Sequence, residues 1–470
     1  MSEERKTIYL CLAHMSDEGF EQKYVKEAFD TNWVVPMGPN VNAFEEDLRK
    51  FVTGNVESAV YQDSRWPEAT AAAWNLNPAL KDTKVVCLSA GTAAVHLALL
   101  ACGVGHGDEV CVQSFTFCAS SHPITYLGAT PVFVDSEPET WNMDPLLLEK
   151  AILDRKEKTG KYPKAIVPVA LYGMPYKIDE IMAIADKYGI PVVEDAAEGM
   201  GSRFNGQVLG TFGKFGVLSF NGNKMITTSG GGALICQNAE DAQTIMWYAT
   251  QARDAYPYYE HTAIGYNYRM SNVCAGIGRG QMTVLNDHIA HHKHVQELYK
   301  ELLKDVPGIT LHEQPADPRY DANFWLCAAT IDPEIRIKGQ ENAYKEVIKT
   351  AVGGAAGVIK AVESATTDCQ PNENVEALRV FMLSKKVECR PVWKPMHCQP
   401  VYRKGSQVVG HGSGVMGQEY SVIEGPNMAA YVNHVSEDIF KVGFCLPAGP
   451  YVSDDDVKYI VDCIREAIVE

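Results

Sequence analysis

The chain is short of positive charge: 42 Lys and Arg stand against 59 Asp and Glu, a formal net charge of −17. So acidic a surface repels nucleic-acid phosphates. An anionic substrate must therefore meet a local basic cluster working against the global field. Among 13 cysteines there is no CxxC pair. Spacings such as Cys111 to Cys118 and Cys389 to Cys398 are not those of a zinc knuckle, so no metal is expected and the thiols read as reduced and mostly buried. Long apolar runs are also missing. The best span candidate, Val85 to Val104, is broken by Ser89, Gly91, Thr92, His96 and Gly103, which argues against a membrane segment. The opening residues MSEERKTIYLCLAHMSDEGF hold no apolar stretch of secretory length, and a cytoplasmic protein is expected. What is present is ordinary for a globular chain: 46% hydrophobic and 21% charged over 470 residues, enough for two cores.

Short β-branched runs alternate with helical patterns: VVCLS before TAAVHLALLACG, then DEVCVQS, TPVFVD, KAIVPVALY, KIDEIMAIADKYG and IPVVEDAA. The alternation predicts an α/β fold with a parallel sheet and crossover helices. Ligands in such sheets sit beyond the carboxyl ends of the strands. A helical stretch from Asp287 to Leu303 is followed by a VPG break at Val306 to Gly308. A boundary near residue 305 is expected, with a large domain over 1–305 and a smaller C-terminal domain over 306–470. Gly54 to Thr83 and Arg336 to Pro371 lack a clean period and read as inserted surface elaborations.

Four short segments carry chemistry. VVEDAAEG ends an apolar run on Glu194 and Asp195, and a carboxylate there can cap a helix, bind magnesium or pair with a protonated cofactor ring nitrogen. LSFNGNKMITTSGGGALI places Lys224 after an Asn-Gly-Asn turn, between hydrophobic strands, where a lysine can form a Schiff base with a carbonyl. Its spacing is not that of a phosphate-binding loop. CLSAGTAAVHLALLACG is a strand, a small-residue turn and a helix start, and Gly91 and Thr92 there can hold a phosphate without the dinucleotide glycine spacing. QSFTFCAS puts Phe115 and Phe117 at the same edge, where an aromatic can stack on a flat ring. Lysine, carboxylate, helix start and aromatic together are what a pyridoxal phosphate site needs.

With these segments, NWVVPMGPNVNAFE, GYNYRMSN and RPVWKPMHCQPVY in the same order, the chain resembles the DegT/DnrJ/StrS family of nucleotide-sugar aminotransferases from about Ile8 to the C-terminus, the two insertions excepted. The resemblance implies a fold type I pyridoxal phosphate transferase: a large domain with a mixed, mostly parallel seven-stranded sheet, a smaller α/β domain, and a homodimer with shared active sites. It implies that Lys224 is the Schiff-base lysine and Asp195 the partner of the pyridinium nitrogen. Phe117 then stacks on the ring, Glu198 reaches its hydroxyl, and Gly91, Thr92 and Ser219 cradle the phosphate, with Asn267 supplied by the neighbouring subunit. Glu198 stands where many members carry Gln. Members with His at the lysine position dehydrate sugars, so Lys224 points to amino transfer. A dehydratase and a silent cofactor-binding protein are the alternatives.

The basic cluster is Arg390, Lys394, His397, Arg403 and Lys404. Arg390, Lys394 and His397 are the candidate substrate contacts, facing a nucleotide diphosphate or the carboxylate of glutamate. The NGNK and WKPMH forms resemble the branch acting on UDP-linked 4-keto-6-deoxy-N-acetylhexosamines. His288, His291, His292 and His294 lie at helical spacing and read as a solvated helix face rather than a metal site.

Overall fold

The computed structural model describes residues 5–54, 77–344, 369–413 and 419–469. Apolar, β-branched strands buried on both faces form the central sheet. Along Lys84–Leu88, Val85 and Cys87 pack into one core while Val86 and Leu88 pack into another, the two-residue alternation of a covered sheet. Seven strands line up in the order Thr130–Val134, Glu109–Gln113, Ala165–Val167, Val193–Asp195, Phe215–Ser219, Gly232–Cys236, Lys84–Leu88. Parallel bridges at Ile166 to Val192 and Val169 to Asp195 join its two halves. Only the Gly232–Cys236 strand runs against both neighbours. The expected mixed, mostly parallel seven-stranded sheet is therefore present. The Gly91–Ala101 helix covers one face and Pro145–Thr159 the other.

Four antiparallel strands build a second sheet, in the order Ile309–Leu311, Cys327–Ile331, Gly443–Leu446, Arg390–Pro391. It shares a core with Leu285–Leu303, Glu373–Ser384 and Asp454–Ala467. Residues 407–432 do not join it. Met428–Val432 pairs in parallel with Thr130–Val134, and Glu419–Gly425 and Gln407–Ser413 add two antiparallel strands beyond. Part of the C-terminal chain thus extends the large sheet. Most of each inserted segment, 55–76 and 345–368, lies outside the described residues.

Candidate active site

Five strands of the large sheet deliver their carboxyl ends to one cavity of about 430 Å³, through Ser89, Phe117, Val169, Asp195 and Ser219. Alternation along Val193–Asp195 separates its two acids. Glu194 turns away and accepts backbone N–H bonds from Gly210, Phe212 and Gly213, at 3.0, 2.6 and 2.6 Å, pinning that turn. Asp195 lines the cavity, its carboxylate accepting from Ser120 Oγ at 2.6 Å and the Ala197 N–H at 3.1 Å. Burial pushes the Asp195 carboxyl above the usual range, while those bonds and the charge of Lys224 oppose it.

Lys224 enters from the turn after Phe215–Ser219. Its Nζ donates to Glu198 Oε1 at 3.1 Å and lies 4.1 Å from the Trp325 ring centroid, between a carboxylate and a π face. Trp325 is held by its Nε1–H bond of 2.7 Å to the Asn223 carbonyl. Glu198 Oε2 accepts the Tyr172 N–H at 2.7 Å. Burial raises the Glu198 carboxyl to about 7, against the pull of Lys224. Tyr172 itself has φ 53°, a left-handed conformation that a non-glycine residue keeps only when its surroundings enforce it. Here its N–H is fixed by Glu198, and its phenolic oxygen accepts the Trp393 N–H at 2.9 Å.

The Gly91–Ala101 helix begins without a side-chain cap, so its first N–H groups face the cavity. A Cβ at Gly91 would lie 3.1 Å from Ser219 Cβ, so the absence of a side chain lets the helix start close against the Ser219 hydroxyl. Uncapped N–H groups with Thr92 and Ser219 beside them make an anion cradle. Phe117 is 54% exposed on the opposite side, and its ring centroid lies 5.5 Å from that of Trp393. Cradle, open aromatic face, buried carboxylate and lysine fit pyridoxal phosphate.

The cavity gathers Gly91, Thr92, Phe117, Asp195, Glu198, Ser219, Lys224 and Arg390. It does not gather Asn267, which is exposed and bridges Thr250. Lys394 lines an adjoining cavity of about 380 Å³ that shares Thr116, Phe117 and Trp393. His397 is buried, with Nδ1 2.6 Å from Ser114 Oγ and Nε2 3.0 Å from Glu437 Oε1, so both ring nitrogens are engaged away from the cavity. Sequence reasoning missed Ser120, Tyr172 and Trp325. Tyr172 follows a strand and was open to the strand-end rule, whereas Trp325 comes just before the Cys327–Ile331 strand of the other sheet and carries no local signal. The histidine helix is not a solvated face throughout: His288 and His292 are buried, bonded to the carbonyls of Met225 and Phe324.

This sheet order, with the lysine and the carboxylate at its strand ends, is that of the fold type I pyridoxal phosphate transferases. The family model described as the DegT/DnrJ/EryC1/StrS aminotransferase family matches residues 67–356, and the chain belongs to that family. It is 36% identical to EpsN of Bacillus subtilis (strain 168), assigned by its name to the pyridoxal phosphate-dependent aminotransferases, over 98% of this chain and 95% of that protein. It is 30% identical to the GDP-perosamine synthase of Escherichia coli O157:H7, over 97% and 98%. A crystal structure of a DegT DnrJ EryC1 StrS aminotransferase from Brucella abortus superposes with a TM-score of 0.70 at 22% identity, covering 96% of this chain and 95% of that one. The aminotransferase class and the cofactor anticipated from the residues stand. Among the described residues no helix is long and apolar enough to cross a membrane.

Proposed function

We propose that the protein transfers an amino group from L-glutamate to the keto carbon of a nucleotide-linked 4-keto-6-deoxy sugar, acting in the cytoplasm as a homodimer. The reading rests on the contact of Lys224 with Glu198 inside a cavity that also holds Asp195 and opens beside Arg390. Pyridoxal phosphate supplies, when bound, an aldehyde that reacts with amines and a ring that accepts electrons. The chain's own residues do the rest. Asp195 offers a buried negative charge for the ring nitrogen, Phe117 a stacking face, Glu198 a contact for the ring hydroxyl, and Gly91, Thr92 and Ser219 the phosphate cradle. Asn267 of the partner subunit completes that cradle in the proposed dimer.

Lys224 Nζ is the point of covalent attachment and, once displaced, the base that moves a proton. Glu198 accepts from that nitrogen at 3.1 Å and holds it in place, with its own carboxyl raised to about 7 by burial. Arg390 stands where a carboxylate or a diphosphate can meet a cation at the cavity wall. The nucleotide-sugar reading is supported by the likeness to GDP-perosamine synthase, and the choice of carbon by the quoted motifs.

Borohydride treatment of the cofactor-loaded protein should fix the cofactor to Lys224, and Lys224→Ala should hold none after reduction. Incubation of unreduced, cofactor-loaded protein with L-glutamate and a UDP-linked 4-keto-6-deoxy sugar should release 2-oxoglutarate. Trapping without release of 2-oxoglutarate from L-glutamate, whichever keto sugar is supplied, would sink the transamination reading, and turnover confined to 3-keto sugars would move the amine to the neighbouring carbon.

A further inference from the structure

Just behind the loop that forms one cavity wall, three donors converge from segments far apart in the chain. They are Cys369, ahead of the Glu373–Ser384 helix, Cys398, at the end of the short Met396–Cys398 helix, and Glu437, in the first turn of Val435–Val442. The two sulfurs and a carboxylate oxygen lie within 4.8 Å of one another. Cys369 is buried, Cys398 half-buried, and the Glu437 side chain 20% exposed, so the group sits at the protein's margin with solvent in reach.

Glu437 is held in place. His397 Nε2 and His434 Nδ1 lie 3.0 and 3.1 Å from its Oε1, leaving Oε2 outside these bonds, and His397 is itself oriented by Ser114. Imidazoles that fix a ligating carboxylate are the outer-shell arrangement that metal sites use. We propose that Cys369, Cys398 and Glu437 bind a zinc ion, with the fourth position taken by water. Thiolate sulfur with one carboxylate selects zinc over harder divalent cations. Binding displaces both thiol protons to solvent, leaving a complex of charge −1. Lys394 and Lys441, whose charges already act on Cys369, offset it. The ion ties the Trp393 to Cys398 loop to the Val435–Val442 helix and to the segment that leads into Glu373–Ser384, and so stiffens a wall of the active-site cavity without touching the reacting atoms. This site does not depend on which substrate the enzyme uses.

The cofactor-loaded protein is equilibrated with zinc chloride, dialysed against metal-free buffer and assayed for metal by mass spectrometry. Wild type should retain about one zinc per chain, and Cys369→Ser and Cys398→Ser less than about a tenth of that, while Cys274→Ser retains the full amount. Cobalt in place of zinc should give a thiolate charge-transfer band that Cys398→Ser lacks. If either serine variant fails to fold, wild type decides: zinc should slow alkylation of Cys398 by iodoacetamide at least about tenfold. Absence of retained zinc in wild type, equal retention in the Cys398→Ser variant, alkylation indifferent to zinc, or a Cys369–Cys398 disulfide in protein isolated without reductant would each overturn the proposal.

Discussion

The cavity has two unlike walls. The sheet wall is made by strand ends: Asp195, Ser219 and the Gly91 helix start arrive there because parallel strands share one direction, and Glu198 follows three residues after Asp195. The other wall runs from the two-residue edge strand Arg390–Pro391 into a loop ending at Cys398, a chain that changes direction every few residues, and its charges disperse. Arg390 reaches the cavity while bonded to Glu388, Lys394 faces the adjoining one, and His397 turns inward to Ser114 and Glu437. A strand end aims its side chain by the pleat of a sheet, whereas a loop aims its side chains only by tertiary contacts. Substitutions on the first wall should therefore change the chemistry, and those on the second should change stability or binding.

Asp195→Asn tests the first wall most severely. An amide keeps the shape of the carboxylate but no longer stabilises a protonated ring nitrogen, so kcat should fall about 1,000-fold with the fold intact by circular dichroism. Near-normal turnover would erase the distinction between the walls.

Glu198 sharpens the same point through pH. Its folded-state pKa of about 7 stands above the ordinary 4.5 because burial disfavours the charged carboxylate. The folded chain then binds more protons than the unfolded one between these values. The Glu198 contribution to stability is full below about pH 4.5 and is lost as pH rises through 7, by roughly 3 kcal/mol at most. In urea unfolding, the apoprotein should lose stability more steeply over this range than the Glu198→Gln variant, in which the raised carboxyls of Asp47 and Asp144 still contribute. Parallel slopes in the two proteins would mean that Glu198 is not the buried acid described.

Much of the first wall was legible in the sequence. Lys224, Asp195, Phe117 and the Gly91 turn each follow a short apolar run, and the rule that ligands sit beyond strand ends puts them together without knowledge of the strand order. Trp325 was not legible as a partner of Lys224, because its approach comes from packing the second sheet against the first, and nothing local marks the left-handed turn that sets the Tyr172 N–H against Glu198. Neither was the pairing of Met428–Val432 with Thr130–Val134, since nothing local marks which strand becomes the neighbour of one so distant in the chain. Counting charges located the basic loop but could not show which way each side chain faces.

His397→Ala examines that last point on the second wall. Removing a buried ring that is bonded to Ser114 and Glu437 should cost about 2 kcal/mol in urea unfolding. The KM for the sugar should stay within about twofold of wild type, because the ring does not reach the cavity. A large rise in KM with unchanged stability would return His397 to the substrate contacts.

Arg390→Ala should act the other way round. Arg390 lines the cavity, and its guanidinium donates through Nε to Glu388 at 2.9 Å, with a side chain 43% exposed. An exposed pair of this kind contributes little to folding, so the unfolding midpoint should barely move. The loss should appear as a rise of about tenfold in KM for substrates carrying a diphosphate or a second carboxylate, with kcat nearly unchanged, since the charge is met equally in the bound substrate and in the transition state. Added salt should weaken wild-type binding toward that of the variant, because a half-exposed ion contact is screened within about 10 Å at 0.1 M ionic strength. If the variant instead lost kcat with KM unchanged, Arg390 would act on the reacting carbon, and the loop wall would share the chemistry now assigned to the sheet.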